Sequence, residues 1–361
     1  MAPPSRRPRS PPALMEELVE EILLRIPPAE PAHLFRAALV CKPWRRILSD
    51  PGFLRRYRAL HRAPPLLGYF HNNHPNFPGP IPPFVSTTAA SPVSPLLTFD
   101  RSGLSWAHAV DCRHGRVLIE ATGGLIVWDP IAGDQKKLSV PKYPRTYSTG
   151  AVLCAVDGCD HLDCHAGAFL VVYCGTEQAD YQYKTWVTMY SSEAGVWSSM
   201  ISIDVDYYVD PRPALIIGNA LYFSFQYGVS LLKYDLRGHE LSMIDSPCVM
   251  GSVAMELDDG ELGFVAVLDH CIYMWSWQAH ANNGIGRWEQ HMVMELKTLL
   301  PRSDKQRPEV VGLIEGTYTI FISDEAGVFT LDIKSRKVKK VGKRENYDRI
   351  LPYMSFYTPR Y

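Results

Sequence analysis

Hydrophobic and polar positions follow two different periods along this chain, and the change falls after residue 62. In the first part Leu14, Leu18, Ile22 and Ile26 recur every fourth residue, and Val19 and Leu23 widen the stripe. Glu16, Glu17, Glu20 and Glu21 occupy the other side, which is the pattern of an amphipathic helix. Pro27 and Pro28 stop it. A second helix is predicted from Pro31, whose missing N–H costs nothing in a first turn, through Leu34, Phe35, Ala38 and Leu39 to Val40 and Cys41. Pro43 suits the start of a third helix with Trp44, Ile47 and Leu48 on one face. Asp50-Pro51 closes that helix, and Phe53, Leu54, Tyr57 and Leu60 begin another amphipathic stretch. Helices this short bury little surface among themselves, and their apolar stripes are broad, so this head is expected to need a partner surface.

Residues 63–98 read as a linker with the first strands; within them 71–95 are rich in Pro, Asn and Ser and lack a period. From residue 99 to 361 the pattern becomes short apolar runs separated by turn signals. One shape recurs: Leu125-Ile126-Val127-Trp128-Asp129-Pro130, Trp186 to Trp197, Ser230 to Gly238 and Gly327 to Ser335 each read as strand, polar turn, strand. Cys271 to Trp277 followed by Gly286-Arg287-Trp288 is a copy with a longer loop. A partner run often precedes the shape, as at 115–120, 220–225, 263–268 and 318–323. The reference positions 128, 190, 234, 275 and 331 are 62, 44, 41 and 56 residues apart. A four-stranded blade takes about 40–50 residues, so the spacing fits a β-propeller with loop insertions, and six blades are expected. Tyr353 to Tyr357 is expected to pair with Leu66 to Phe70 and close the ring. An open β-sandwich or two smaller β units would account for the same runs.

Charge adds a division of labour. Residues 1–62 carry 12 Lys/Arg against 6 Asp/Glu, while the whole chain has a net charge of −1, so a basic head precedes an acidic body. The total gives no electrostatic footprint for nucleic acid, and no apolar run is long enough to span a bilayer. Residues 1–12 read as a disordered Pro/Arg/Ser tail. The 8 Cys show no paired framework spacing, which points to free thiols in a reducing compartment, cytoplasmic and/or nuclear.

The head then becomes specific. Ala13 to Pro27 resembles the first helix of an F-box, and Leu39 to Leu54 resembles its second half, with Val40-Cys41-Lys42-Pro43-Trp44-Arg45 and the trailing Asp50-Pro51-Gly52-Phe53 as the most specific elements. The family usually opens with Leu-Pro; here Met15 takes the proline's place, and Pro43 is an unusual residue between the Lys and the Trp. The resemblance covers residues 13–62. It implies docking onto a Skp-family adaptor, and through it a cullin, by Leu14, Leu18, Ile22, Leu23, Ile26, Pro27, Leu34, Val40, Cys41, Trp44 and Arg45. The body resembles the propeller-like, kelch-related domains that follow F-boxes in large plant families. Together these imply the substrate-recognition subunit of a ubiquitin ligase: a non-catalytic adaptor, with an unknown target protein on the propeller. A glycoside-acting propeller enzyme, or a scaffold that binds the adaptor without delivering a substrate, are the alternatives.

Other chemistry is sparse. Cys154, Cys159, His161, Cys164 and His165 are soft ligands close in sequence, but they lack the two separated ligand pairs of a zinc finger, and Asp157, Gly158 and Asp160 suit an ordinary turn. The expectation is therefore no metal and no cofactor. No phosphate-binding Gly-rich loop, nucleophile elbow or His-Glu-x-x-His pattern occurs. Asp204 to Asp210 mixes carboxylates with Tyr207 and Tyr208 and suits either a recognition loop or a solvated one. Lys334 to Arg344 is a basic run that reads as a solvated edge strand.

Overall fold

The computed structural model describes residues 14–72, 82–88, 100, 102, 104–180, 182–247, 249–279, 286–300, 307–344 and 349–359. These fall into two compact units, one of helices with the C-terminal segment from Phe356, the other of strands. The tail 1–12 and most of the 71–95 stretch lie outside the described residues.

The helical unit contains α1 (Glu16–Leu24), α2 (Ala32–Val40), α3 (Lys42–Leu48) and α4 (Pro51–His61). Each start has a local cause. Met15 sits extended before α1 at φ −63°, ψ 146°. Cys41 alone separates α2 from α3, with φ −160° and ψ 164° breaking the helical run. Pro43 lies in the first turn of α3, where no N–H is needed. Asp50 caps α4 by accepting the Phe53 N–H at 2.9 Å. The interior is built from Val19, Leu23, Leu24, Leu34, Ala37, Ala38, Ile47, Leu48, Phe53 and Tyr57. The Tyr57 hydroxyl donates to the Ile26 carbonyl at 2.8 Å, so its polar end is satisfied inside the unit. Phe356 and Tyr357 bring rings to 6.1 Å from Tyr57 and 4.8 Å from Phe35, so the far end of the chain enlarges this small core.

The strand unit is a six-bladed propeller of antiparallel sheets. Blade 1 holds Ala107–Arg113, Arg116–Ala121, Gly124–Trp128 and Gln135–Leu138. Blade 2 holds Tyr147–Cys154, Phe169–Ala179 and Gln182–Ser191, whose outer edge is shared by Val196–Trp197 and Ile201–Val205. Blade 3 holds Leu215–Ile217, Ala220–Ser224, Ser230–Asp235 and Glu240–Asp245. Blade 4 holds Val253–Glu256, Leu262–Leu268, Cys271–Ala279 and Gly286–Glu295. Blade 5 holds Glu309–Leu313, Thr319–Asp324, Gly327–Asp332 and Lys337–Gly342. Blade 6 is assembled from both ends of the unit: Leu66–His71 pairs with Phe84–Ser86 on one side and Ile350–Met354 on the other. Register runs from Leu66 opposite Met354 to His71 opposite Ile350, which is the expected closing pairing.

The repeated sequence shape has a single structural meaning. Trp128, Tyr190, Tyr234, Trp275 and Leu331 all lie on the third strand of their blades and all are buried. The partner runs become second strands. In blades 1 to 5 the second and third strands are the middle of the sheet and are largely covered on both faces, so they read as continuous apolar runs. The fourth strand faces water: Glu240–Asp245 and Lys337–Gly342 are mostly exposed or half-buried. The basic run is thus an outer edge strand. The polar turn after the third strand is held by its first carboxylate: Asp129 accepts the N–H groups of Ile131 and Ala132 at 2.8 and 2.9 Å. Asp235 accepts Arg237 and Gly238 at 2.8 and 2.7 Å, and Asp332 accepts Ser335 at 2.6 Å.

Blades that are not neighbours meet through Arg113. Its guanidinium donates to Asp111 at 2.6 Å in blade 1, to Glu315 at 2.7 Å beside blade 5, and to the Ala214 carbonyl beside blade 3. Asp111 also accepts the Val152 N–H of blade 2 at 2.8 Å. Burial works against charge on both partners. It leaves the Asp111 carboxyl above its ordinary pKa despite Arg113, while Asp111 and Glu315 together outweigh it at Arg113 and raise that pKa.

Candidate functional site

The head divides the apolar residues of α1 into two sets. Val19, Leu23 and Leu24 face the interior. Leu18 and Ile22, one helical turn apart, stay 47 and 52% exposed, and Leu14, just before the helix, is 59% exposed. The acidic side of α1 is tied down by arginines: Glu16 pairs with Arg46 of α3, and Glu20 and Glu21 pair with Arg56 of α4, the last at 2.8 Å. Exposed pairs of this kind contribute only about 0–1 kcal/mol each, so their consequence is orientation, leaving the apolar stripe as the free side of α1.

A second apolar corner lies where α2 meets α3. Val40 is 62% exposed, Cys41 is exposed and Trp44 is half-buried. The extended backbone at Cys41 turns the chain here. Pro27 and Arg45 are exposed and Ile26 is half-buried. Leu23 and Leu34, each 1% exposed, belong to the interior and support the surface from beneath. Two residues outside the expected set, Met15 and Leu39, are 64 and 77% exposed. Leu39 was legible only as a helix residue; its exposure follows from the turn at Cys41, which periodicity does not encode.

The stretch Asp204 to Asp210 is not a free loop. Ile201–Val205 pairs with the third strand of blade 2, and Tyr208 stacks on Tyr147 with centroids 3.6 Å apart. Asp210 accepts from Arg349 and lies 3.4 Å from Arg212. Tyr207 remains 40% exposed.

Four of the five soft ligands converge. One ligand atom from each of Cys154, Cys159, His161 and Cys164 lies within 4.8 Å of the others. Burial, with the Cys154 thiol beside it, pushes the Cys164 thiol up to about 12. His165 turns away: its Nδ1 is 2.6 Å from Asp129 and its Nε2 is 3.2 Å from Asp163.

A helical head with an exposed apolar stripe, followed in sequence by a six-bladed propeller, defines a substrate-recognition F-box protein. Residues 14–56 match the F-box domain and residues 108–361 match the family described as "F-box protein AT5G49610-like, beta-propeller"; the chain belongs to that family. No curated protein matches it. Among solved structures it is similar to the extracellular domain of BT4673 from B. thetaiotaomicron, with a TM-score of 0.37 and 14% identity over 68% of this chain and 29% of that one. It is also similar to a chain of the nidogen/laminin complex, with a TM-score of 0.38 and 11% identity over 67 and 80% of the two chains. Kuenenia stuttgartiensis hydrazine synthase gives a TM-score of 0.37 and 10% identity over 61 and 62%. Likeness at this level says nothing about what the chain binds.

Proposed function

We propose that this chain is the substrate-recognition subunit of a Skp–cullin–F-box ubiquitin ligase, docking its head on a Skp-family adaptor and holding a target protein on its propeller. The observation that carries this reading is the exposed pair Leu18 and Ile22 on a helix whose other sides are already occupied, continued by exposed Leu14 just before its start. An amphipathic helix with i, i+4 anchors is suited to an apolar groove, and Trp44 at the α2–α3 corner supplies an aromatic anchor. The chain contributes no bond-making step in this role. It raises the effective concentration of the target near a charged conjugating enzyme. The compartment follows the machinery, cytoplasmic and/or nuclear.

The test is co-purification with a Skp-family adaptor. Leu18→Ala combined with Trp44→Ala removes two anchors of about 2 kcal/mol each, so adaptor affinity should fall by roughly a thousandfold. Undiminished capture by the double variant, with helical content intact, defeats the proposal.

A further inference from the structure

Between Cys154, at the end of the first strand of blade 2, and Phe169, at the start of the second, the chain makes a connection with only a single short 3-10 turn of its own. We propose that Cys154, Cys159, His161 and Cys164 form a structural zinc site that staples this connection.

The geometry is close to what zinc requires. Zn–S bonds of about 2.3 Å and Zn–N bonds of about 2.0 Å imply tetrahedral edges of roughly 3.5–3.8 Å. Cys164 Sγ lies 3.6 Å from His161 Nδ1, and the four ligand atoms stay within 4.8 Å of one another, so small side-chain rotations complete the tetrahedron. Two of the sulfurs are already oriented by the backbone. The Val156 N–H donates to Cys154 Sγ and the His161 N–H to Cys159 Sγ, each at 3.4 Å and each from two residues on. His161 adopts a left-handed backbone at φ 57°, a conformation uncommon for a non-glycine residue, and its ring packs 4.1 Å from that of His114.

Charge balance points the same way. Zinc with three thiolates and a neutral imidazole carries a single net negative charge, and binding releases three thiol protons to solvent. Arg116 supplies the opposite charge: it donates to the carbonyls of Cys164 and Gly167, both at 2.6 Å. Its Nη1 is buried with no hydrogen-bond partner among the described residues. Four protein ligands leave no open coordination position, so the site is structural and not hydrolytic. His165 is committed to Asp129 and is not a ligand. The order Cys-x4-Cys-x-His-x2-Cys hides the site from spacing rules because the ligands come from one connection and not from two separated pairs.

The test uses the untagged full chain. Elemental analysis should find about one zinc per chain, as a closed four-ligand site holds. His165→Gln should keep the metal, and Cys159→Ser with Cys164→Ser should lose it. After chelation, cobalt(II) added to the wild-type chain should give a thiolate-to-cobalt charge-transfer band. The band needs no variant, so it reads the site even where the double substitution impairs folding. Absence of both zinc and the cobalt band in the wild-type chain overturns the proposal, as does zinc retained in full by the double Ser variant.

Discussion

Arg113 and Glu315 are 202 residues apart in sequence and share a two-point ion pair, Nε to Oε2 at 2.7 Å and Nη2 to Oε1, joining blade 1 to the region of blade 5. Because Arg113 also holds Asp111, removing it strands a buried carboxylate. Arg113→Ala should therefore destabilise the propeller by about 3–5 kcal/mol, read as a lower urea midpoint. Adding Asp111→Asn should recover part of the loss. Glu315→Gln should cost less, since the Glu315 side chain is 30% exposed.

Leu18 and Leu23 separate docking from folding. Leu18 is exposed and Leu23 is interior. Leu18→Ala should leave stability within about 0.5 kcal/mol of wild type while weakening adaptor capture. Leu23→Ala should cost about 2–5 kcal/mol of stability. Equal stability losses in the two variants would contradict this division of the helix.

Met15 stands where the F-box family usually has proline, and its φ of −63° is a value proline enforces. Its carbonyl accepts from Leu18 and Val19, which proline retains. Met15→Pro should be neutral or stabilise the chain by about 0.4–1 kcal/mol through the unfolded state. A lower midpoint in denaturant titration would show that the entry to α1 needs the Met15 side chain or N–H.

Asp129, Asp235 and Asp332 all sit below the ordinary carboxylate pKa. At Asp129 burial opposes ionisation, but His165 and the Ala132 and Ile131 N–H groups outweigh it. At Asp235 the Gly238 and Arg237 N–H groups act directly, and at Asp332 the Ser335 N–H does. A depressed folded pKa means stability that is present above the unfolded value, about 3.9, and lost as pH falls through the folded value. Thermal scans should show the triple Asp→Asn variant less stable than wild type at pH 7, with the gap closing below about pH 4. A constant gap across that range would place the effect in geometry and not in charge.

Much of this protein is legible in its residues. Period together with proline placement located three helices and the start of the fourth, because Pro27, Pro31, Pro43 and Asp50 act on their own neighbours. The recurrent run with reference positions Trp128, Tyr190, Tyr234, Trp275 and Leu331 identified the third strand of blades 1 to 5, because a strand covered on both faces is largely apolar. The pairing of the two ends of the propeller was also readable, since an unpaired apolar run at each end has a clear mutual partner.

Tertiary structure decided the rest, and for one physical reason: exposure and convergence depend on chain segments distant in sequence. Leu18 and Leu23 lie on the same sequence stripe, yet packing against α4 and its neighbours buries one and exposes the other. The His165 side chain is drawn to Asp129, leaving His161 to complete the group with three cysteines. Arg113 meets Glu315 because six sheets close into a ring, a contact that no local pattern specifies.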